Sequence, residues 1–270
     1  MLKDITLGQF FPGNSILHRL DPRFKIIITL LFVVMLFMGD SFLCLAAGAV
    51  FTVMSILLSR IPVKMFAKSV KPLLPFLLIT AVLNLLLVES GDVYFHWKFL
   101  KITSGGVNIS IFMIFRIILL IAGSSLLTYT TSPITLTDAI ERLLSPLKKI
   151  KFPVHELSMM MSIALRFIPT LIEETDKIMS AQKARGAELD SGSILTRVKN
   201  MVSILIPLFI SSFRRADELA TAMECRCYRG GKGRTRLRRM KSSFRDYAAL
   251  GVTLLFMASV IVIDRLPIGF

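Results

Sequence analysis

Five apolar runs, at residues 26–38, 42–58, 72–88, 107–129 and 247–263, constrain this chain more than any other feature. A membrane-spanning helix needs roughly 20 largely apolar residues to cross about 30 Å of hydrocarbon. The last three runs reach that length once their flanks are included. Hydrophobic residues make up 54% of the 270 and charged residues only 19%, with Phe at 20 copies. A soluble domain of this size has no interior large enough for so much apolar surface, so the expected class is an all-α integral membrane protein. The first 20 residues lack the apolar core and small-residue site of a cleavable signal peptide.

The first two runs are short, and only Gly39, Asp40 and Ser41 separate them. Arg19, Arg23 and Lys25 precede the first; Arg60, Lys64, Lys68 and Lys71 follow the second. Cations on both flanks favour the same side, so the chain is expected to cross twice between them. One helix over 26–58 would run about 50 Å, longer than a single span needs. A hairpin turning at Gly39–Asp40 is the better reading. The 89–106 connection balances Lys98 and Lys101 against Glu89 and Asp92, and its Tyr94 and Trp97 suit a membrane interface, so it is placed outside. About five spans result, with the N-terminus in the cytoplasm and the C-terminus outside. This arrangement puts 29 of 33 Lys and Arg inside, leaving Lys98, Lys101 and Arg265 outside and Arg116 within the membrane.

The expected organisation is a four-span membrane domain at 1–131, a cytoplasmic region at 132–245, and a final span within 246–270. The middle region carries 21 Lys and Arg against 11 Asp and Glu. Residues 135–149 have amphipathic helical spacing, with Leu136, Ile140, Leu143, Leu144 and Leu147 on one face and Thr137 or Asp138 as cap. Pro153 opens a second helix to about residue 188, and residues 194–228 form a third. Pro169 and Pro207 lie inside these two and should bend them. Both are more apolar in their first halves than a solvated helix tolerates, which implies packing on each other or on the bilayer.

The two long helices end alike. Asp176 leads to Ala181, Ala184, Arg185 and Gly186; Asp217 leads, at the same spacing, to Ala222, Cys225, Arg226 and Cys227. An arginine between small residues can enter a cleft and donate several fixed hydrogen bonds. A single such arginine would be read as a solvated charge favoured by the helix dipole. The repeated context favours two similar receptors, or one pseudo-symmetric dimer.

Other signals are weaker. Cys225 and Cys227 lack the further ligands that a tetrahedral metal site needs, and His18, His96 and His155 are far apart in sequence. The Gly-Gly-Lys-Gly at 230–233 lacks the spacing and the Ser or Thr of a phosphate-binding loop, so ATP is not expected to bind this chain. The basic run 226–245 has few aromatics and directly precedes a span, which favours anionic headgroups or a protein surface over nucleic acid. Arg116 is an intramembrane charge: it contacts a partner or binds a nearby carbonyl. No span holds a Ser–His or paired-carboxylate arrangement, so no catalytic residues are assigned.

Several short stretches together resemble the transmembrane T component of energy-coupling factor (ECF) transporters, the family that includes cobalt-transport permease subunits. They are Leu-His-Arg-Leu-Asp-Pro-Arg at 17–23, Thr-Thr-Ser-Pro at 130–133 and Leu-Arg-Phe-Ile-Pro at 165–169. Ala-Gln-Lys-Ala-Arg-Gly at 181–186 and Glu-Cys-Arg-Cys-Tyr-Arg-Gly-Gly at 224–231 complete the set, in family order. The resemblance implies long cytoplasmic coupling helices resting on two ABC-type ATPases, with Arg185 and Arg226 entering a groove on each. Ala184, Gly186, Cys225 and Cys227 would be the small flanks. It further implies ATP and Mg bound by the partner ATPases, with no cofactor in this chain. A separate small membrane S component would capture a vitamin or metal ion in a bacterial or archaeal cell membrane. A T component shared among several S components is favoured by the Cys-Tyr-Arg-Gly-Gly tail; a dedicated cobalt, nickel or biotin importer is the alternative. A different class, a membrane scaffold with a basic lipid-binding arm, would lack an ATPase partner. Cys225 stands where the family motif usually has Ala, so an oxidisable pair brackets Arg226.

Overall fold

The computed structural model describes residues 10–88, 90, 92–97, 100–187, 193–230 and 242–265, with side chains at all but 93–97, 100–102, 194, 196–197 and 263–265. Two compact units emerge: residues 10–136 with 242–265, and residues 137–230.

The first unit begins with α1 (Pro22–Met38) and α2 (Phe42–Ser59). Asp21 caps α1 by accepting from Arg23 N, and Pro22 supplies a first-turn φ at no hydrogen-bond cost. Ser41 caps α2 through Cys44 N at 3.3 Å, so a three-residue break joins the helices at the Gly39–Ser41 turn read from the sequence. The next stretch departs from the sequence reading. Residues 63–71 fall between the second and third apolar runs and so read as an inner loop, but α3 (Val63–Val70), a 3₁₀ turn (Lys71–Leu73) and α4 (Leu74–Leu87) form one helical run. Pro72 and Pro75 fall at helix starts, where a missing N–H is harmless. A small antiparallel hairpin, β1 (Val93–Trp97) with β2 (Leu100–Thr103), fills the following connection. Thr103 then caps α5 (Ser104–Thr130) through Gly106 N, and its hydroxyl donates to Val88 O at 2.7 Å. The proposed roles of Tyr94, Trp97, His96, Lys98, Lys101 and Arg265, and of the Gly-rich stretch beyond Gly230, lie outside the described residues or side chains.

Helix α9 (Phe244–Arg265) closes this unit against α1 and α2. The Asp246 carboxylate accepts from Asp21 N at 2.8 Å and Ser243 N at 2.6 Å, and Phe24 meets Tyr247 edge to face. Phe32, Met35, Leu36, Leu45, Phe112, Leu119 and Val260 form the core. Among the described residues, α2, the 63–87 run, α5 and the 244–262 part of α9 are long and apolar enough to cross a membrane. Helix α1 has 17 residues, or about 26 Å, just below one hydrocarbon thickness.

The second unit holds most of α6 (Pro133–Leu143), a 3₁₀ turn (Ser145–Ile150), α7 (Val154–Ala184) and α8 (Ile194–Cys225). Helix α6 starts earlier than expected: its first turn is closed by Ser132, whose Oγ accepts from Thr135 N at 3.4 Å, rather than by Thr137 or Asp138. Pro133 at the first position makes this start possible. Pro169 and Pro207 both remain inside continuous helices.

Candidate docking site

The ends of α7 and α8 are built by the same device. In α7, Arg185 follows the last helical residue, Ala184; Gly186 N then donates to Lys183 O at 3.0 Å and Ala187 N to Gln182 O at 3.0 Å. In α8, Arg226 follows Cys225; Cys227 N donates to Glu224 O at 2.8 Å and Tyr228 N to Met223 O at 3.0 Å. Both are Schellman closures, in which the residue after the cap turns left-handed so that two amide donors satisfy the last carbonyls. The left-handed residue is Gly186 (φ +84°) in one and Cys227 (φ +56°) in the other. The sequence echo is therefore a structural one. Each arginine sits at a sharply ended helix tip, in a chain that turns away immediately behind it.

Arg185 and Arg226 are exposed, and so are Ala184, Gly186, Cys225 and Cys227 beside them. Neither arginine makes an ion pair or side-chain hydrogen bond among the described residues. A free guanidinium presents five N–H donors in a planar fork, suited to carboxylates or carbonyls lining a groove.

Three contacts place the tips relative to each other. Tyr228 Oη donates to Met159 Sδ at 3.0 Å, Arg215 pairs with Glu174 at 3.1 Å, and Gln182 Nε2 donates to Ser203 O at 3.4 Å. The α7 partner advances as the α8 partner recedes, so the helices run antiparallel. Arg226 then lies level with the early part of α7 and Arg185 at its end. Roughly 24 residues of helix, about 36 Å, separate the two tips. The Tyr228 anchor was not foreseen; its only trace in the sequence is its place in the tail after Arg226. A second unforeseen cluster joins α6 to α7: buried Glu141 accepts from Ser158 Oγ at 2.9 Å and lies 3.4 Å from His155 Nδ1.

The apolar half of α8 is not covered within the described residues: Val198, Met201, Leu205, Phe209 and Phe213 are all more than half exposed. Arg116 belongs to the other unit, on α5. Its guanidinium donates to Gly39 O at 2.5 Å, lies 3.3 Å from Asp40 Oδ1 and packs 4.4 Å from the Phe112 ring centroid. Of its two readings, the geometry realises the nearby carbonyl: Arg116 fastens the α1–α2 turn. Among the described residues, no three His, Cys, Asp or Glu side chains converge as metal ligands.

The sequence matches the family model described as cobalt transport protein (CbiQ) over residues 13–237. This chain belongs to that family. A protein of Ruminiclostridium cellulolyticum named energy-coupling factor transporter transmembrane protein EcfT is 51% identical over 264 residues, 98% of each chain. Proteins of the same name from Bacillus subtilis and Lactococcus lactis are 45% and 43% identical, covering 98% and 97% of this chain and 100% and 98% of their own. Membership places all five quoted motifs inside the matched span and gives the four long apolar helices their setting, a membrane.

Proposed function

We propose that this chain is the transmembrane coupling subunit of an ATP-driven ECF importer, with two ABC-type ATPases docked on Arg185 and Arg226. The observation that carries the reading is the pair of matching arginine-tipped caps at opposite ends of one antiparallel helix pair. Two tips about 36 Å apart suit two similar receptors, one on each half of a pseudo-symmetric ATPase dimer. Motion between the ATPases would then reach α7 and α8 as a change in their angle. The uncovered apolar face of α8 would pass that motion to a small membrane S component carrying a vitamin or metal ion. Catalysis, with its ATP and Mg, belongs to the ATPases. In this reading α7 and α8 are cytoplasmic, α1 is a fifth span, the N-terminus is inside and the C-terminus outside, which keeps 29 of 33 cations on the cytoplasmic side.

The test is purification of the tagged chain from its membrane in mild detergent, as wild type, Arg185→Glu, Arg226→Glu and the double variant. Wild type should carry two ATPases and support uptake in proteoliposomes. Each single variant should weaken ATPase association at least tenfold. The tips share no partner, so the two losses should add on a free-energy scale to within about 0.5 kcal/mol. An unchanged uptake rate in the double variant rejects the docking role. Mass spectrometry of the co-purifying small membrane proteins separates a shared importer, with several, from a dedicated one, with a single invariant partner.

A further inference from the structure

A cleft of about 460 Å³ opens within the first unit, between α1, α2, α5 and α9. Its mouth lies where α1 and α9 begin and α2 and α5 end, marked by Lys25, Leu58, Thr130 and Arg245. Its floor is a stack of three rings: Phe51 lies between Phe32 and Phe256, with centroids 5.5 and 5.3 Å apart. From Lys25 to Phe32 is about 10 Å of helix and from Arg245 to Phe256 about 16 Å. The cleft is therefore as deep as one leaflet, about 15 Å of hydrocarbon. Its wall is apolar even where the sequence is not: Thr52 and Thr253 turn their hydroxyls back to Gly48 O and Ala249 O, both at 2.8 Å.

The mouth is cationic. Lys25 is buried, and its ammonium donates to Thr130 O at 2.9 Å, Thr131 Oγ1 at 3.2 Å and His18 O at 3.4 Å. Those partners take up its three N–H donors, and the nearby carboxylates of Asp246 and Asp21 act on its charge. Arg245 is exposed and has no acidic partner among the described residues. Two carboxylates lie close by: Asp21 is paired with Arg23, whereas Asp246 accepts only from two backbone amides and keeps its charge, so Lys25 and Arg245 together leave one cation in excess.

We infer that this cleft is a binding site for one anionic phospholipid, its acyl chain laid against the Phe51 stack and its phosphate held at Arg245. One-leaflet depth fits the chain, and the exposed Arg245, the cation in excess at the mouth, fits the headgroup; basic pockets between spanning helices select anionic lipids for this reason. The site uses neither arginine tip and stands apart from the docking proposal.

The experiment is native mass spectrometry of the full chain, purified in detergent and titrated with dioleoylphosphatidylglycerol or dioleoylphosphatidylcholine. Wild type should retain one phosphatidylglycerol in preference to phosphatidylcholine. Arg245→Gln removes an exposed cation and should weaken retention about fivefold. Ala248→Phe, at a lining position of the mouth, should abolish it, with an unchanged melting curve showing that the fold is intact. Lys64→Gln, a cation on α3 outside the cleft, is the control and should change nothing. Equal retention of the two lipids would overturn the headgroup assignment, and full retention in Ala248→Phe would overturn the location. Cross-links from a photoreactive residue at position 252 to a partner helix, with no lipid retained in the complex, would give the cleft to a protein instead.

Discussion

The two helix caps differ at one residue, and the difference has a measurable consequence. A left-handed backbone is free for glycine but costs other residues about 1–2 kcal/mol. Gly186 at φ +84° has open space around it, so Gly186→Ala brings no clash and its cost is purely conformational. The expected loss is about 1 kcal/mol, read as a lower melting temperature in detergent. Cys227 already bears that cost at φ +56°, so Cys227→Gly should be neutral or raise the melting temperature. A fall in stability for Cys227→Gly would show that the thiol makes a contact worth more than the backbone relief. Arg116 offers a second residue-scale test. Its guanidinium is buried and satisfies Gly39 O in the α1–α2 turn, with Asp40 beside it. Arg116→Gln removes the charge and shortens the reach, leaving a buried carbonyl unmet at a cost of about 1–3 kcal/mol. An unchanged melting curve would mean that water replaces the guanidinium.

At the scale of elements, close approach matters more than hydrophobic area, because lipid is as apolar as the helices themselves. Helices α1 and α5 meet where Phe32 lies over Gly123; a Cβ there would fall 2.4 Å from Phe32 Cε1. Gly123→Ala should therefore push the helices apart and destabilise by about 1–3 kcal/mol, despite alanine's better helix propensity. A stabilised Gly123→Ala would mean that Phe32 swings aside freely. The α3–α5 junction relies on polar geometry instead. Tyr129 is fully buried, with its hydroxyl at 2.5 Å from Ser69 Oγ and 3.1 Å from Met65 O. This junction explains why 63–71 is helical although it reads as an inner loop. A segment carrying three lysines becomes structured because its apolar residues, Phe66 above all, have a ring to pack on.

For the whole molecule, the consequence to test is sidedness. Cys44 is buried, while Cys225 and Cys227 are exposed at the tip of α8. A membrane-impermeant maleimide applied to the ATPase-free chain should label Cys225 and Cys227 in inside-out vesicles and leave right-side-out vesicles unlabelled. Labelling from the outer face would reverse the proposed orientation. The cleft and the proposed docking tips would place two separate demands on one chain: a fixed four-helix packing for the first, and two free arginines on a long lever for the second.

Much of this was legible in the sequence because membranes simplify the problem. Apolar run length gives α2, α5 and α9, and the Gly39–Ser41 break gives the α1–α2 turn, since a bilayer accepts few alternatives. The arginine tips were legible because small residues and helix ends are local features, repeated at one spacing. The tertiary structure alone decided the rest. It put Arg116 on the Gly39 carbonyl rather than at a free surface, a matter of which turn lies beside α5. It showed α7 and α8 to be antiparallel and fastened by Tyr228, so that the tips lie far apart instead of side by side. It also opened the cleft, which four helices distant in sequence must build together. Local chemistry determines what each segment can be; only packing between distant segments determines which atoms meet.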